Sequence, residues 1–327
     1  MPLLLTETDI RGLLPMPDLI AAMESAVAAY SAGQTAQPVR TVVEVGNDHN
    51  FFGVMPAAMR EPAAIGAKLV TVFHANHTRG LPSHLATIVL FDPETGALAA
   101  VLDGRFITEA RTAAVSAVSA KHLARPEART LAIIGAGVQA RSHLRALRCV
   151  RAVDTVRVWS PSEAHRTAFA AEMSAETGLR VTAVPTSRAA LDAADLIVLA
   201  TSSPAPVIDD DAVAAGAHVC AVGACRPEER EMPTALVARA RVFVDSRAGA
   251  LKEAGDILLP MREGVFGDSH IAGELGDVVR GRVKARAHGT DVTIFKSLGM
   301  AIEDIAAAEL AVSRARERGV GREFSIQ

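Results

Sequence analysis

Apolar residues recur at helical spacing near the start of the chain and then give way to short runs typical of strands. Residues 16–32 place apolar side chains every three or four positions and are followed by Gly33, so they predict a helix that ends there. Three β-type runs come next, PVRTVVEV, NFFGVMP and IGAKLVTVF. SHLATIVLF and ALAAVLDG then flank DPETG, whose composition predicts a hairpin turn. The first third is therefore expected to be an antiparallel α+β unit.

The hydrophobic pattern changes after Thr108, where ITEARTAAVSAVSAKHLA predicts a long, Ala-rich connecting helix. From Thr130 onward, apolar strands alternate with helices, which indicates a parallel sheet covered on both faces. The last segment, TIFKSLGMAIEDIAAAELAVSRARERG, predicts one long helix that ends at Gly319. The predicted strands are TLAIIG, TVRVWS, VTAVP, DLIVLAT, HVCAVGA and RVFVDS, and helices are expected over 138–149 and 161–177.

Composition and charge narrow the classes of function. Half of the residues are apolar and 22% are charged, which is enough for a large buried core. A net charge of −3 gives no reason to expect nucleic acid or an anionic membrane as a partner. No apolar run reaches 18 residues, the length that would suggest a membrane span, and the N-terminus does not resemble a signal peptide.

The cysteines and histidines argue against a metal or disulfide framework. Cys149, Cys220 and Cys225 have neither metal-ligand nor redox spacing, so a reducing cytoplasm is the expected location. His74 and His77 are close in sequence, but no third ligand with suitable spacing accompanies them. We therefore expect no metal site.

A glycine motif provides the first chemical signal. The strand TLAIIG runs directly into Gly135-Ala-Gly137-Val-Gln-Ala140 and then into a predicted helix. The glycines permit a tight turn and a close approach of the backbone to a pyrophosphate, whose charge lies at the helix N-terminus. Ala140 stands where a third glycine is common and still allows close helix packing. Strand, motif, helix and second strand in this order predict a dinucleotide-binding Rossmann domain rather than a merely structural turn.

The end of the second strand bears on which dinucleotide is bound. NAD enzymes usually place an acidic residue there to hold the ribose 2′-hydroxyl, but this chain has Ser160, with Ser162 and Arg166 nearby. Hydroxyls and a guanidinium can hold a 2′-phosphate, and no carboxylate repels it. NADP(H) is therefore favoured and NAD(H) is possible. The alternative is that Arg166 is only a solvated charge on a helix.

At 327 residues the chain has the length of about two domains of roughly 150 residues. A C-terminal helix that follows a Rossmann unit often returns to the first domain. We therefore expect an α/β fold in which residues 117–295 form the Rossmann domain. Residues 1–116 and 296–327 are expected to form a discontinuous α+β domain for substrate binding and dimerisation.

Several ordered segments resemble the ornithine cyclodeaminase and mu-crystallin family, and most closely its mu-crystallin branch of ketimine and pyrroline-2-carboxylate reductases. The resemblance covers nearly the whole chain and is far more specific than the glycine motif alone. The segments are QPVRTVVEV, FFGVMPA, AKLVTVF, LPSHLATIVLFDPETG, DGRFITEARTAAVSA, IIGAGVQARSH, AVGACRPEEREM, VDSRAGALKEAGD and FKSLGMAIEDIAAAELA.

The resemblance implies that Arg40, Lys68 and Arg111 converge on a substrate carboxylate, with Lys68 and Arg111 as the catalytic residues. A guanidinium offers a planar, bidentate match to a carboxylate. Lys68 lies between Ala67 and Leu69 in an apolar strand, so its ammonium needs an anion or another strong partner. Each residue alone has an ordinary alternative: a surface Arg40, a snorkelling Lys68, or an Arg111 bonded to helix ends.

The resemblance also implies a set of cofactor contacts outside the glycine loop and within it. Ser83 and His84 lie at the start of a predicted strand, where either could be only a turn-former. His84 is a conceivable proton donor, and a structural, hydrogen-bonded histidine is the alternative. The implied cofactor contacts are Ser83, Arg111, Thr112, Val138, Gln139, Ala140, Thr201 and Ser297.

One departure from the cyclodeaminases decides the expected reaction. That branch carries an Asp after the glycine of the fifth-strand loop, whereas this chain has Cys225 at the corresponding, substrate-binding position. Phe52 to Val54 occupy the place where cyclodeaminases tend to have a second acidic residue. Oxidation of an amine requires removal of its proton, and a neutral thiol is a poor base for that. Reduction of an iminium makes no such demand.

The resemblance and this departure together predict NAD(P)H-dependent reduction of a ketimine acid, such as pyrroline- or piperideine-2-carboxylate, to an L-amino acid. An alanine dehydrogenase or an acyclic imine reductase of the iminosuccinate type is the nearest alternative, and ornithine cyclodeaminase is a further one. A non-catalytic binding protein is the alternative from another class. The expected partners are a small imino or amino acid and a second copy of the chain.

Overall fold

The computed structural model describes residues 1–46 and 50–325, and its chain divides into two compact units. The first unit comprises the described residues of Met1–Arg111 and Gly299–Gln327, and the second comprises Thr112–Leu298. The polypeptide passes from one unit to the other inside a helix and returns after a strand. The roles expected for the two parts in binding stay predictions at this point.

The first unit is an antiparallel meander with helices. The predicted helix is confirmed, since α2 (Met16–Ser31) is followed by Gly33 in a left-handed conformation. The predicted hairpin is also confirmed, since β6 (His84–Phe91) and β7 (Leu98–Asp103) pair across the DPETG turn. A short 3-10 helix, His74–Arg79, precedes β6. The elements in chain order are β1 (Leu3–Leu5), α1 (Glu7–Leu13), α2 (Met16–Ser31), β2 (Thr35–Ala36), β3 (Thr41–Val45), β4 (Asn50–Met59), β5 (Ala64–Val72), β6 (His84–Phe91), β7 (Leu98–Asp103) and α3 (Arg105–Leu123).

The second unit is a parallel sheet with alternating helices, as the sequence pattern predicts. Short 3-10 helices, Asp210–Ala212 and Asp268–His270, lie in two of its connections. The elements are β8 (Thr130–Ile134), α4 (Val138–Leu147), β9 (Thr155–Trp159), α5 (Glu163–Thr177), β10 (Arg180–Ala183), α6 (Ser187–Leu191), β11 (Leu196–Leu199), β12 (His218–Ala221), α7 (Thr234–Arg239), β13 (Arg241–Val244), α8 (Arg247–Glu253), α9 (Gly255–Arg262), β14 (Ile271–Glu274), α10 (Leu275–Val279) and β15 (Thr293–Lys296).

The strand order of the second unit is that of a doubly wound sheet. The strands run β10-β9-β8-β11-β12-β15-β13-β14, and the pairings along this order are parallel. The order reverses between β8 and β11, and in such sheets ligands bind at the carboxyl ends of the strands beside that reversal. The strands β8, β11, β12 and β15 are buried almost throughout, because helices cover both faces.

The prediction of one long C-terminal helix from Thr293 is wrong at its start. Residues Thr293–Lys296 form β15, which pairs with β12 on one side and β13 on the other. The helix α11 begins only at Ala301 and ends at Arg318. Between the two, Gly299 adopts a positive φ of 83°, which is unsuited to a continuous helix. A run of four buried residues is too short for periodicity to separate a strand from a helix.

After β15 the chain supplies α11 (Ala301–Arg318) and β16 (Arg322–Glu323) to the first unit. The strand order there is β16-β1-β7-β6-β5-β4-β2, and β3 also pairs with β4. Helix α11 packs against α2 and across β4, β5 and β6. Gly66 on β5 makes the approach possible, because a Cβ there would lie 2.3 Å from the Val89 carbonyl oxygen and 3.0 Å from Ile305 Cδ1.

Within the part of the chain that the structure describes, no helix has the length and apolar character that crossing a membrane requires.

Candidate functional site

A buried ion cluster in the first unit contains two of the three residues predicted to bind a carboxylate. Lys68 lies on β5 and Arg111 lies in α3, and the two are only 2% and 4% exposed. Asp304, in the first turn of α11, bridges them: its Oδ2 lies 2.6 Å from Lys68 Nζ and its Oδ1 accepts a 2.8 Å hydrogen bond from Arg111 Nε. Arg111 Nη1 also donates to Glu303 Oε2 at 2.7 Å. The expectation that Lys68 needs a strong partner is confirmed.

The charges around Lys68 bring Arg40 into the same field. Burial lowers the pKa of Lys68 to about 8, Asp304 opposes this shift, and the cations Arg111 and Arg40 add to it. The positive charge of Arg40 lowers the pKa of the Lys68 ammonium, so Arg40 lies within electrostatic range of Lys68. All three predicted clamp residues belong to the first unit. Near neutral pH, Lys68 and Arg111 are both charged beside the carboxylates of Asp304 and Glu303, and the positive charge of Arg40 acts on the same ammonium.

Arg111 and Asp304 both stay charged over the physiological range. Burial opposes the charge of Arg111, but the carboxylates of Asp304 and Glu303 outweigh it and raise the pKa of the guanidinium. Burial likewise opposes the charge of Asp304, but Arg111 and Lys68 outweigh it and lower its pKa. The helix N-terminus also favours negative charge in the first turn of α11. Of Lys68, Arg111 and Asp304, Lys68 is therefore the group whose pKa lies nearest to neutral pH.

Gly299 fits closely against the Arg111 guanidinium. A Cβ at position 299 would lie 2.4 Å from Arg111 Nη1 and 2.6 Å from Nη2. Its φ of 83° is also one that residues with a side chain rarely adopt. Both constraints demand glycine here, so the chain that enters α11 also limits where the guanidinium can lie.

The structure separates the two readings of His84, which begins β6. Burial lowers the pKa of His84 to about 4, and the charges of Lys68 and Arg111 lower it further. The imidazole is therefore neutral at pH 7, which weakens its case as an acid. Ser83, the neighbouring residue predicted to contact the cofactor, is exposed, and its carbonyl oxygen accepts the Phe73 N–H at 2.8 Å.

The predicted glycine loop of the second unit connects β8 to α4. Gly135 has a φ of 114°, and a Cβ there would lie 2.3 Å from the Ala200 carbonyl oxygen, so the fold itself requires this glycine. A Cβ at Gly137 would instead meet nothing within 4 Å, although Gly137 is the N-cap of α4. Ala140 is fully buried, whereas Val138 is 52% exposed. The loop thus leaves open space at a helix N-terminus, as a bound pyrophosphate requires.

The residues predicted to choose between NAD and NADP lie together at the carboxyl end of β9. Arg166 Nη1 donates to the Ser160 carbonyl oxygen at 3.1 Å, and the Ser160 hydroxyl donates to the Ser162 carbonyl oxygen at 3.0 Å. Ser162 caps α5. The Arg166 side chain is only 14% exposed and lies 3.8 Å from Glu163 Oε2, so its guanidinium is not freely solvated, and its role toward a cofactor stays a prediction.

Sequence reasoning missed a second buried network, which holds the loops after β11 and β12. Glu231 is fully buried, and its Oε1 accepts hydrogen bonds from the backbone N–H and the hydroxyl of Thr201, at 2.8 and 2.7 Å. Its Oε2 accepts the N–H groups of Gly223, at 2.8 Å, and Ala224, at 3.3 Å. Thr201, a predicted cofactor contact, is therefore held by a carboxylate whose two oxygens are both occupied.

A buried ion pair completes this network. Asp256 Oδ1 accepts the N–H of Glu231 at 2.9 Å, and Asp256 Oδ2 lies 3.0 Å from Lys296 Nζ. Lys296 also donates to the Ala224 carbonyl oxygen. Burial opposes the charge of Lys296, but Asp256 outweighs it and raises its pKa. Lys296 was missed because its strand, β15, was predicted to be part of a helix. Glu231 and Asp256 lie in segments for which the sequence indicated only a family resemblance and no chemical role.

Three predicted residues of the second unit remain, and two of them, Cys225 and Ser297, lie in the loops that follow β12 and β15. Cys225 is partly buried, and its Sγ lies 3.6 Å from the Val222 carbonyl oxygen. Ser297 is buried, with its Oγ 3.5 Å from Asp245 Oδ2. Thr112 directly follows Arg111 in α3 and is half-buried. Among the described residues, no three or more His, Cys, Asp or Glu side chains are grouped to hold a metal ion, and the side chain of His77 lies outside the described residues.

Comparison with known proteins confirms the resemblance found in the sequence. The model of the ornithine cyclodeaminase/mu-crystallin family matches residues 1–319. The ketimine reductase mu-crystallin of Rattus norvegicus is 41% identical over 295 residues, which cover 89% of this chain and 90% of the rat protein. The match therefore spans nearly the full length of both sequences.

Two solved structures agree with the whole fold. The Delta(1)-pyrroline-2-carboxylate reductase of Thermococcus litoralis, in complex with NADH and L-proline, is 38% identical with a TM-score of 0.96 and covers 98% of this chain and 100% of its own. The iminosuccinate reductase of Paracoccus denitrificans, in complex with NAD+, is 32% identical with a TM-score of 0.92 and covers 99% of each chain. The predicted fold class, a Rossmann domain with a discontinuous second part, is confirmed.

The contrast between the two loop glycines yields a prediction about the nucleotide that the motif predicts. We expect Gly137→Ala to weaken NADH and NADPH binding by about tenfold or more, because the new methyl group occupies the space that the pyrophosphate needs. Its melting temperature should stay near that of the wild type. Both quantities are measured by nucleotide fluorescence titration and thermal unfolding.

Gly135→Ala is the matched control, since its methyl group would collide with the Ala200 carbonyl oxygen. That variant should lose stability even without nucleotide. Wild-type nucleotide affinity in Gly137→Ala would show that the loop is not the binding site.

Proposed function

Because the chain belongs to the ornithine cyclodeaminase and mu-crystallin family, we propose that it is an NAD(P)H-dependent imine reductase. The proposed substrate is a ketimine acid, such as pyrroline- or piperideine-2-carboxylate, and the product is an L-amino acid. The observation that carries the proposal is the buried ion cluster of the first unit, in which Lys68 and Arg111 pair with Asp304 and Glu303 and the charge of Arg40 acts on Lys68. In this proposal the carboxylate of an imino acid binds to Lys68, Arg111 and Arg40.

The clamp residues bind and orient the acid. Arg111 keeps its charge throughout the working range, so it provides the constant part of the attraction for the substrate carboxylate. Lys68, with a pKa of about 8, is mostly protonated at pH 7 and can also return a proton to the product nitrogen. Arg40 adds a third positive charge. Holding the acid in one orientation supplies much of the rate of a transfer between two bound molecules.

The residues of the second unit fit a dinucleotide. The loop from Gly135 to Ala140 is open at the N-terminus of α4, where a pyrophosphate finds unpaired N–H groups and a favourable dipole. When bound, a reduced nicotinamide supplies the hydride that the C2 carbon of the imine accepts. We further propose a preference for NADPH, because Ser160, Ser162 and Arg166 lie where NAD enzymes usually carry a carboxylate.

The chemistry of the loop after β12 favours reduction over cyclodeamination. A cyclodeaminase needs a base for the substrate amine, and this loop offers the thiol of Cys225. Glu231, a carboxylate that binds this loop, is fully buried, and both of its oxygens accept hydrogen bonds. It serves the loop backbone instead. An iminium substrate accepts hydride without any base, so the residues present suffice for reduction.

A second candidate is an acyclic imine reductase or an alanine dehydrogenase, which would use the same carboxylate clamp. The similarity to the Paracoccus denitrificans iminosuccinate reductase supports the acyclic reductase as a member of this class. Iminosuccinate has two carboxylates and therefore demands a second cationic contact. A comparison of kcat/KM for cyclic and acyclic substrates decides between the two candidates.

We also propose that the chain forms a homodimer through the sheet of the first unit. Strand β3 lies at the sheet edge and exposes apolar side chains, with Val42 47%, Val43 52% and Val45 36% exposed. An exposed, apolar edge strand is a liability in a monomer and an ordinary feature of an interface. Sedimentation velocity of the wild type and of Val43→Lys tests it, because a charge at the interface should favour the monomer.

The proposed function predicts which imines are reduced. We expect oxidation of NADPH with pyrroline-2-carboxylate or piperideine-2-carboxylate at a higher kcat/KM than with pyruvate or oxaloacetate plus ammonia. L-Ornithine with NAD+ should release no ammonia, because Cys225 stands where cyclodeaminases carry the Asp that acts as the base. Higher kcat/KM with an acyclic substrate would support the second candidate. Absence of turnover across the panel would contradict reduction altogether.

The titration of Lys68 predicts a pH dependence. Below a pKa of about 8 the ammonium is charged and binds the acid, and above it the charge is lost, so kcat/KM should fall as pH rises through about 8. We expect Lys68→Arg to lose this fall, because a guanidinium stays charged throughout that range. The imine nitrogen titrates identically with both enzymes, so the difference between the two profiles isolates Lys68. Equal alkaline limbs would exclude Lys68 from substrate binding.

The cluster at the end of β9 predicts the cofactor preference. We expect wild-type kcat/KM to be higher with NADPH than with NADH. Ser160→Asp should shift the ratio toward NADH, because a carboxylate repels the 2′-phosphate and can bind a ribose hydroxyl. Ser162→Asn, which adds no charge, is the control. A wild-type preference for NADH would refute the NADPH proposal and leave imine reduction standing.

A further inference from the structure

We propose that Asp304 is a positioning residue of the carboxylate clamp, whose two oxygens hold Lys68 and Arg111 in one arrangement so that both cations meet the substrate acid together. This inference rests on the proposed function, since it assigns a role within the same clamp. Asp304 itself does not bind the substrate. Its role is to place the groups that do.

The bridging geometry is the first support. Oδ2 of Asp304 lies 2.6 Å from Lys68 Nζ, while Oδ1 accepts the Nε–H of Arg111 at 2.8 Å. Lys68 comes from β5, Arg111 from α3 and Asp304 from α11, so one carboxylate joins three elements that are distant in sequence. Because a long lysine and a long arginine each have many rotamers, a shared partner removes much of the freedom that the substrate would otherwise have to restrict.

The neighbouring Glu303 provides a natural comparison. It is as buried as Asp304 and it too pairs with Arg111, through a 2.7 Å contact between Oε2 and Nη1. Asp304, however, contacts both Lys68 and Arg111. Glu303 therefore shares the burial, the charge, the helical turn and the Arg111 contact of Asp304, while the 2.6 Å contact with the Lys68 ammonium is that of Asp304. The two residues form a matched pair for experiment.

Glycines at positions 66 and 299 allow the close packing of α11 that brings Asp304 to Lys68 and Arg111. Gly66 and Lys68 lie two residues apart on β5 and thus on the same face, and any side chain at Gly66 would meet Ile305 of α11. Gly299 lies directly against the Arg111 guanidinium. The close contact of helix and strand at this place is therefore built into the backbone, and Asp304 occupies the gap between them.

The negative charge of Asp304 keeps Lys68 protonated against the other groups around it. Arg111 of α3 and Arg40, which precedes β3, are positive, and His84 of β6 is neutral at pH 7. Asp304 is the carboxylate that contacts the ammonium. Without it, the buried Lys68 loses the negative charge that raises its pKa while Arg111 and Arg40 still lower it, so its proton is lost at a lower pH.

An ordinary structural ion pair is the competing explanation. In that case Asp304 only anchors α11 to the sheet, and its loss lowers stability without changing how the clamp binds. The two explanations differ in the pH profile and in KM. Stability alone does not separate them, because removal of one partner from a buried pair destabilises under either.

The test compares Asp304→Asn with Glu303→Gln in the full-length enzyme, using kcat and KM for pyrroline-2-carboxylate from pH 6 to 10. In Asp304→Asn we expect the alkaline limb of kcat/KM to move down by about one pH unit or more. We also expect KM at pH 7 to rise by about tenfold or more, with a smaller change in kcat. In Glu303→Gln the limb should stay near its wild-type pH, because Asp304 remains in contact with Lys68 at 2.6 Å.

Asp304→Glu keeps the charge but displaces it by one methylene group, and it decides the matter if Asp304→Asn does not fold. This variant should keep the alkaline limb near its wild-type pH and still show a raised KM. Wild-type KM and limb in either folded Asp304 variant, with only a lowered melting temperature, would overturn the positioning role. Absence of wild-type turnover with any imino acid would instead refute the proposed function, so the two failures are distinguishable.

Discussion

The first unit depends on a single buried carboxylate that satisfies two buried cations. A lysine ammonium and an arginine guanidinium are each costly to remove from water, and together they also repel each other. Asp304 offsets both costs because its two oxygens reach the two cations at once. The arrangement is possible because α11 packs closely on β5, where glycine replaces a side chain. The packing of α11 on β5 and the pairing of the two buried cations with Asp304 therefore depend on each other.

The second unit solves a related problem with a different distribution of charge. Its buried lysine, Lys296, pairs with Asp256, while the carboxylate of Glu231 binds backbone N–H groups and a hydroxyl. Those contacts fix the loops at the carboxyl ends of β11 and β12, the edge at which doubly wound sheets bind their ligands. Buried charge in this chain is thus concentrated beside the loops and side chains that the proposed reaction uses.

The parts of the fold that the sequence predicts correctly are those with a repeated pattern. The antiparallel meander, the alternating strands and helices, and the glycine loop all follow from periodicity or from turn chemistry. β15 was missed because four buried residues carry no period, and the segment runs on toward a strongly helical one. The need of Lys68 for an anion could be predicted from its apolar neighbours, but the identity of the anion could not. Asp304 lies far away in the sequence, and only the packing of α11 brings it to β5.

The Gly299 contact has a consequence for redesign. A clamp built in this way does not become one for neutral or cationic substrates by a single exchange, because replacing Arg111 with an apolar residue removes a cationic partner from both Glu303 and Asp304, which are buried. The backbone at position 299 is also shaped to the guanidinium, so a smaller side chain at 111 leaves a void against it. Directed evolution toward such substrates would therefore have to cross inactive intermediates or change several of these positions together. Variation in substrate size, by contrast, leaves this constraint untouched.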